Sequence, residues 1–451
     1  MRFWLVGPII ISLFNFISDF QRYFFNPVYQ EIADELQLGG PCPNLTISNL
    51  TSSIISETAP FCENKNLYIL LTTTLFVPLQ SLSQVLFGIL ADRNPNSTVK
   101  IFVTVAIGMG ISVFALTYSS GITTFVLLRL VFAVFYAGID PLAAKEIFKV
   151  TKPEQRGKTM AMYNWAMYMG FGFAFGVEGR VGWREMYRFS VWSIIPCLAL
   201  FLGYQRWGAG FSEHDVKNTD GNEISACLAK TETIEEELTT YDTIILVIKS
   251  FLKPNVFVLL IACIFRTIAA VSYATFGFRY FNEKFPDYGN TRLWLMTAPV
   301  FGGMVGITLG GIATDFVVKK KWFLKKNTKT QTSETARSRM IVKSVSQILA
   351  GPVAYLAINT PTPYCFVFLT FAFVLSEMWY GVLFAVLFEI VPEKYNTTFF
   401  GVFVFAFVNI SAQIFGLLDV ERVFEFAVQY FYPFGYSISG IFFFVAFLLT
   451  E

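Results

Sequence analysis

Five ionisable side chains sit inside long apolar runs of this sequence: Asp19, Arg22, Arg129, Arg266 and Glu377. A charge in such surroundings is costly unless it faces a partner or a wet interior, so each is a candidate for binding. Asp19 and Arg22 stand three residues apart on one helix face, so an ion pair between them and a substrate role are both open. Arg129 lies about one and a half turns inside its run, where it could snorkel, join a gate network with Asp92 or touch substrate. Arg266 has no oppositely charged sequence neighbour and suits an anionic headgroup. Glu377, beside Trp379 and Tyr380, can carry a proton through a conformational cycle. The plainer alternative for Arg266 and Glu377 is a salt bridge joining two halves of the chain. Glu178 and Arg180 fall near the end of their run and suit an interface.

Other chemistry is poorly provided for. His214, the sole histidine, lies in a polar segment, which removes histidine relays and hydrolytic triads from the apolar core. No nucleophile–base pair, metal-ligand spacing or Walker motif occurs, so neither an enzyme nor a cofactor is expected. Gly170, Gly172, Gly176 and Gly179 mimic a nucleotide loop, but inside an apolar helix they mean close packing. Glu232 and Glu235–Glu237 form a solvated charge run.

The elements that must hold these charges follow from composition. Of 451 residues, 54% are hydrophobic and only 15% charged, with mean hydropathy +0.54. Soluble domains carry about 25% charge, so this is an all-α polytopic membrane protein. With 34 Lys+Arg against 32 Asp+Glu, charge balance gives no reason to expect a nucleic-acid partner. The 51 phenylalanines suit a lipid-facing surface, with some rings left to line a cavity. The run after Arg2 continues into a long helix without a cleavage-site pattern, so no removable leader is expected.

A spanning helix needs about 20 apolar residues. Twelve stretches qualify, at about 3–27, 67–91, 101–119, 123–148, 156–179, 186–205, 254–279, 292–318, 341–358, 363–390, 395–418 and 430–450. Polar segments at 28–66 and 206–253 interrupt them, and the second divides the chain into halves 1–205 and 254–451. Lys and Arg concentrate in the loops after even-numbered spans (Lys145, Lys149, Lys152, Arg156 and Lys158; Lys319–Lys321, Lys325, Lys326, Lys329, Arg337 and Arg339). Both termini and 206–253 are therefore expected on the cytosolic side, and 28–66 outside or in an organelle lumen. That loop holds the sequons at Asn44 and Asn49, flanked by Cys42 and Cys62, which an oxidising compartment would allow to form a disulfide.

Two six-helix halves form the plan of a transporter with internal repeats and a midplane site. Span 2 ends Gly88-Ile89-Leu90-Ala91-Asp92-Arg93, and span 8 ends Gly311-Ile312-Ala313-Thr314-Asp315. Glycine lets helices approach closely, and the acid can pair with an arginine or a helix N-terminus to hold a gate. This repeat resembles the loop 2–3 motif of the major facilitator superfamily and its copy in the second half. The basic residues that usually close it are replaced by Asn94-Pro95-Asn96-Ser97-Thr98.

Further segments are similar to the spinster-type lipid transporters. They are Asp19-Phe20-Gln21-Arg22-Tyr23 in span 1; Arg129, Tyr136-Ala137-Gly138-Ile139-Asp140-Pro141 and Glu146-Ile147-Phe148 in span 4; and Trp183-Arg184 before span 6. Glu377 and Trp379 in span 10 and the Val391–Thr398 loop continue the series. Two features depart from that family. Asp19 and Arg22 are not adjacent, and the glutamate expected between Arg129 and Tyr136 is absent.

The resemblance implies a secondary transporter that alternates access by rocking its halves. The substrate it implies is an amphiphilic anion such as a lysophospholipid or sphingoid phosphate, held by Arg22 and Arg266, with a proton on Asp19 or Glu377. A small organic anion, or a non-transporting receptor that kept the fold, are the alternatives. The expected location is the plasma or endolysosomal membrane.

Overall fold

The computed structural model describes residues 6–36, 67, 70–151, 155–177, 181–219, 240–286, 288–320, 331–416 and 425–450, and every element among them is helical. Twelve long helices follow the expected spans. The first six are α1 (Val6–Tyr23), α2 (Phe76–Arg93), α3 (Thr98–Leu116), α4 (Ile122–Val150), α5 (Arg156–Gly176) and α6 (Trp183–Thr219). The second six are α7 (Pro254–Lys284), α8 (Thr291–Lys319), α9 (Gln331–Asn359), α10 (Tyr364–Ile390), α11 (Asn396–Gly416) and α12 (Ala427–Leu449). Nine helices among the described residues are long and apolar enough to cross a membrane. Absent from those nine are α1, α5 and α11, which carry polar side chains in or near the interior, among them Asn15 and Asp19, Tyr163 and Asn164, and Thr397 and Thr398.

The packing repeats with a period of six helices. In the first half α1 packs on α5 and α6, α4 on α2 and α3, and α3 on α6. In the second half α7 packs on α11 and α12, α10 on α8 and α9, and α9 on α12. Between halves the main contacts are α2 with α11 and α5 with α8, which the same shift exchanges. Two spans break at matching places. α4 is interrupted after Tyr136 and restarts at Ile139, and α10 passes through a 3-10 turn at Glu377–Trp379. Breaks of this kind inside a span mark hinges and sites, because freed backbone groups are tolerated only against protein or a wet cavity.

Three expectations need correction. Phe25–Leu36 is a helix, so 28–66 is not simply a loop. Helix α6 runs on to Thr219, and Thr240–Phe251 is a further helix, so 206–253 is not simply a loop. Phenylalanine is mainly an interior residue: among the described residues 22 are buried and 10 exposed. Edge-on contacts such as Phe14 with Phe102, centroids 5.2 Å apart, fill the core of the first half.

Candidate functional site

A cavity of ≈ 250 Å³ lies between the halves, lined by Asp19, Arg22, Tyr136 and Asp140 from the first and Arg266, Glu377 and Tyr380 from the second. Asp19 and Arg22 do not form the direct ion pair that their spacing allows. The Tyr136 hydroxyl stands between them, donating to Asp19 Oδ1 at 2.8 Å and accepting from Arg22 Nη1 at 3.1 Å. A phenol bridging α4 to α1 leaves the Arg22 guanidinium beside aromatic faces, 5.3 Å from the Tyr136 ring centre and 5.2 Å from that of Tyr23. On the other side of α1, Gly170 lets α5 approach closely, since a side chain there would come within 2.8 Å of Phe16 O and 2.9 Å of Phe20 N.

Arg266 and Glu377 are hydrogen-bonded to each other, and the guanidinium lies 4.3 Å from the Trp379 ring centre. Both belong to the second half, on α7 and α10, so the pair braces that half and does not join the two. The 3-10 turn of α10 explains the geometry, because it carries the acid and the stacking ring together.

Arg129 has a different place from the one expected. It is buried, donates to Gln21 O at 3.3 Å and Arg22 O at 3.0 Å, and lies 4.5 Å from the Phe25 ring centre. It therefore holds the last turn of α1. It does not join Asp92, because α4 enters the bundle from the end opposite the Asp92 loop.

The loop 2–3 motif closes the basic end of the bundle, where the lysine- and arginine-rich loops lie. Asp92 accepts from Lys145 Nζ at 2.9 Å within its own half. Across the interface it accepts from Thr398 N at 2.7 Å and Thr398 Oγ1 at 2.8 Å, at the start of α11. The copy does the same in reverse. Asp315 accepts from Arg339 Nη1 at 3.1 Å in its half, and from Gly157 N at 3.1 Å and Lys158 N at 2.9 Å at the start of α5. Each acid thus caps the exposed N–H groups of a helix from the opposite half. The glycines fit the same scheme: a side chain at Gly88 would come within 2.7 Å of Thr397 O, and one at Gly311 within 2.7 Å of Gly157 O. Arg93 is exposed and lies outside this network.

Sequence reasoning missed several contributors. Lys145 and Arg339 count there as loop charges, yet both are buried and pair with Asp92 and Asp315. Glu389, which accepts from Arg339 Nε at 3.3 Å and Thr335 Oγ1 at 3.0 Å, is hidden in an apolar run near the end of α10. Asp140, which accepts from the Tyr163 hydroxyl at 2.8 Å, could have been flagged as a carboxylate at a mid-span proline. Trp183 and Arg184 both hold Glu35, at 2.5 and 2.8 Å. Asn44, Asn49, Cys42, Cys62, Glu178 and Arg180 lie outside the described residues.

Two six-helix halves, a charged cavity between them and a cross-half capping contact built twice are the arrangement of a membrane transporter. The family model of the Major Facilitator Superfamily matches residues 11–417, and the chain belongs to that superfamily, a family of transporters and not of enzymes. Among solved structures, the chain is similar to the proton:xylose symporter XylE bound to 6-bromo-6-deoxy-D-glucose. That match has a TM-score of 0.62 at 12% identity and covers 99% of this chain and 94% of the symporter. At that identity the likeness speaks for the fold alone. No curated protein sequence matches this one.

Proposed function

We propose that this transporter carries an amphiphilic anion, such as a lysophospholipid or sphingoid phosphate, by rocking residues 1–205 against 254–451. The observation that carries the reading is the placement of one guanidinium from each half, Arg22 and Arg266, on a single interhalf cavity. An anion bound to both would tie the halves together and favour the occluded state. Of the two acids on which a proton could ride, Asp19 is the better placed, because Glu377 is held by Arg266. The protein would sit in a plasma or endolysosomal membrane with both termini cytosolic, its 28–66 loop glycosylated and closed by a Cys42–Cys62 disulfide.

Cavity size favours a second reading. Ligand pockets usually span about 300–1,000 Å³, so ≈ 250 Å³ holds a headgroup or a small organic anion, not a whole lipid. The test is uptake into proteoliposomes of a labelled lysophospholipid beside a labelled organic anion, each with and without an inward proton gradient, in wild type and Arg22→Ala. Lipid uptake lost in the variant supports the first reading, and anion uptake alone supports the second. Binding of either compound without flux would make the protein a receptor and overturn both.

A further inference from the structure

The acid end of the cavity holds more oxygen than Arg22 can engage. Asn15, Asp19, Asp140 and Asn164 all line it. The two asparagines are 3% and 1% exposed, and each commits its amide nitrogen to a main-chain carbonyl: Asn15 to Tyr163 O at 3.1 Å, Asn164 to Met160 O at 2.8 Å. Their Oδ1 atoms therefore point the other way, and neither accepts a hydrogen bond among the described residues. Asp19 and Asp140 each accept one tyrosine hydroxyl on Oδ1, and among the described residues neither Oδ2 has a donor. Tyr163 knits the group together, because its hydroxyl holds Asp140 on α4 while its carbonyl holds Asn15 on α1. Asn164 is the next residue, and Asp19 stands one turn from Asn15.

The charges do not balance. Two carboxylates face one guanidinium, Arg22, because the charge of Arg266 is already balanced by Glu377. An uncompensated charge at this depth is unfavourable, and one positive charge would neutralise it, whereas a divalent ion would overshoot. A proton would use one carboxylate oxygen and leave both amide oxygens idle. Four oxygens and no nitrogen or sulfur donor suit a hard cation. We infer that Asn15, Asp19, Asp140 and Asn164 form a sodium site, and that sodium, in place of the proton considered for Asp19 above, is the coupling ion. The coupling role rests on the transport reading above; binding does not.

The test uses the full chain in lipid nanodiscs, with radioactive sodium as probe, and thermal unfolding followed by tryptophan fluorescence in sodium chloride against choline chloride at equal ionic strength and pH. Saturable sodium binding and a higher unfolding temperature in sodium are expected. Asp140→Asn and Asp19→Asn keep an acceptor for the tyrosines but remove a charge, and each should weaken sodium binding by about 10–100-fold or more. Absence of saturable binding by folded wild type overturns the site, as does unchanged affinity in both folded variants. Stabilisation by acid alone, with no response to sodium, makes it a proton site and overturns the assignment while leaving transport intact. Sodium binding without uptake of any tested substrate supports the site and counts against the transport reading instead.

Discussion

Removing the Asp315 carboxylate should open the basic end of the transporter. In the closed state that carboxylate takes Arg339 at 3.1 Å and two first-turn N–H groups of α5 at 3.1 and 2.9 Å. Asp315→Ala leaves the start of α5 uncapped, which costs the closed state about 0.5–2 kcal/mol. The Arg339 bond lies within the second half and is lost from open and closed states alike, so it lowers stability without shifting their ratio. A loss of about 0.5–2 kcal/mol from the closed state shifts the open/closed ratio by roughly 2- to 30-fold at about 1.4 kcal/mol per tenfold. Spin labels at Lys149→Cys and Lys320→Cys, exposed on the two halves at this end, would read the shift in a cysteine-free background. A longer distance population should appear in Asp315→Ala. An unchanged distribution in folded protein would refute the capping argument, as would a shift in Asp315→Ala that its counterpart Asp92→Ala fails to reproduce.

Other expectations can be checked alongside. Gly88→Leu should open the same end by wedging α2 from α11, and the same label pair reports it. Glu377→Gln strands the buried Arg266 and should lower stability by about 3–5 kcal/mol in denaturant unfolding, with most of the loss recovered in the double variant carrying Arg266→Gln. Arg129→Met removes two bonds to the end of α1 and should lower stability by about 1.5–3 kcal/mol, yet leave the basic-end distances unchanged. Asn44→Gln and Asn49→Gln should each raise electrophoretic mobility by one glycan; no shift in either would count against the assigned sidedness.

The fold was legible because the bilayer imposes a length on every span and the repeat imposes a second copy of each feature. Gly88 and Asp92 could be matched to Gly311 and Asp315 from sequence, and the two pairs make equivalent contacts across the interface. The partners could not be read in the same way. Asp19 meets Tyr136, 117 residues away, and Arg266 meets Glu377, 111 residues away, so no helical spacing encodes either contact. Local spacing even misled, because i, i+3 suggested an Asp19–Arg22 pair where a tyrosine from α4 intervenes. Lys145 and Arg339 were hidden for a different reason: a cation within a turn or two of a span end serves the positive-inside count and a buried gate equally well.

The repeat also explains why the two gates need not be chemically alike. What the shift of six helices preserves is an acid at the end of α2 or α8 facing the start of α11 or α5. The cation that supports the acid differs: Lys145 comes from α4, while Arg339 comes from α9, which is the counterpart of α3. Arg339 in turn engages Glu389, which also pairs across the interface with Arg156 of α5 at 3.7 Å, so the second network holds four charges and the first is a single pair. The cross-half donors recur in both copies because helix N-termini offer N–H groups whatever the side chains are. The supporting cation can be drawn from any neighbouring helix. Backbone capping is thus the shared element of the closed state, and the side-chain network around it is where the two halves differ in strength.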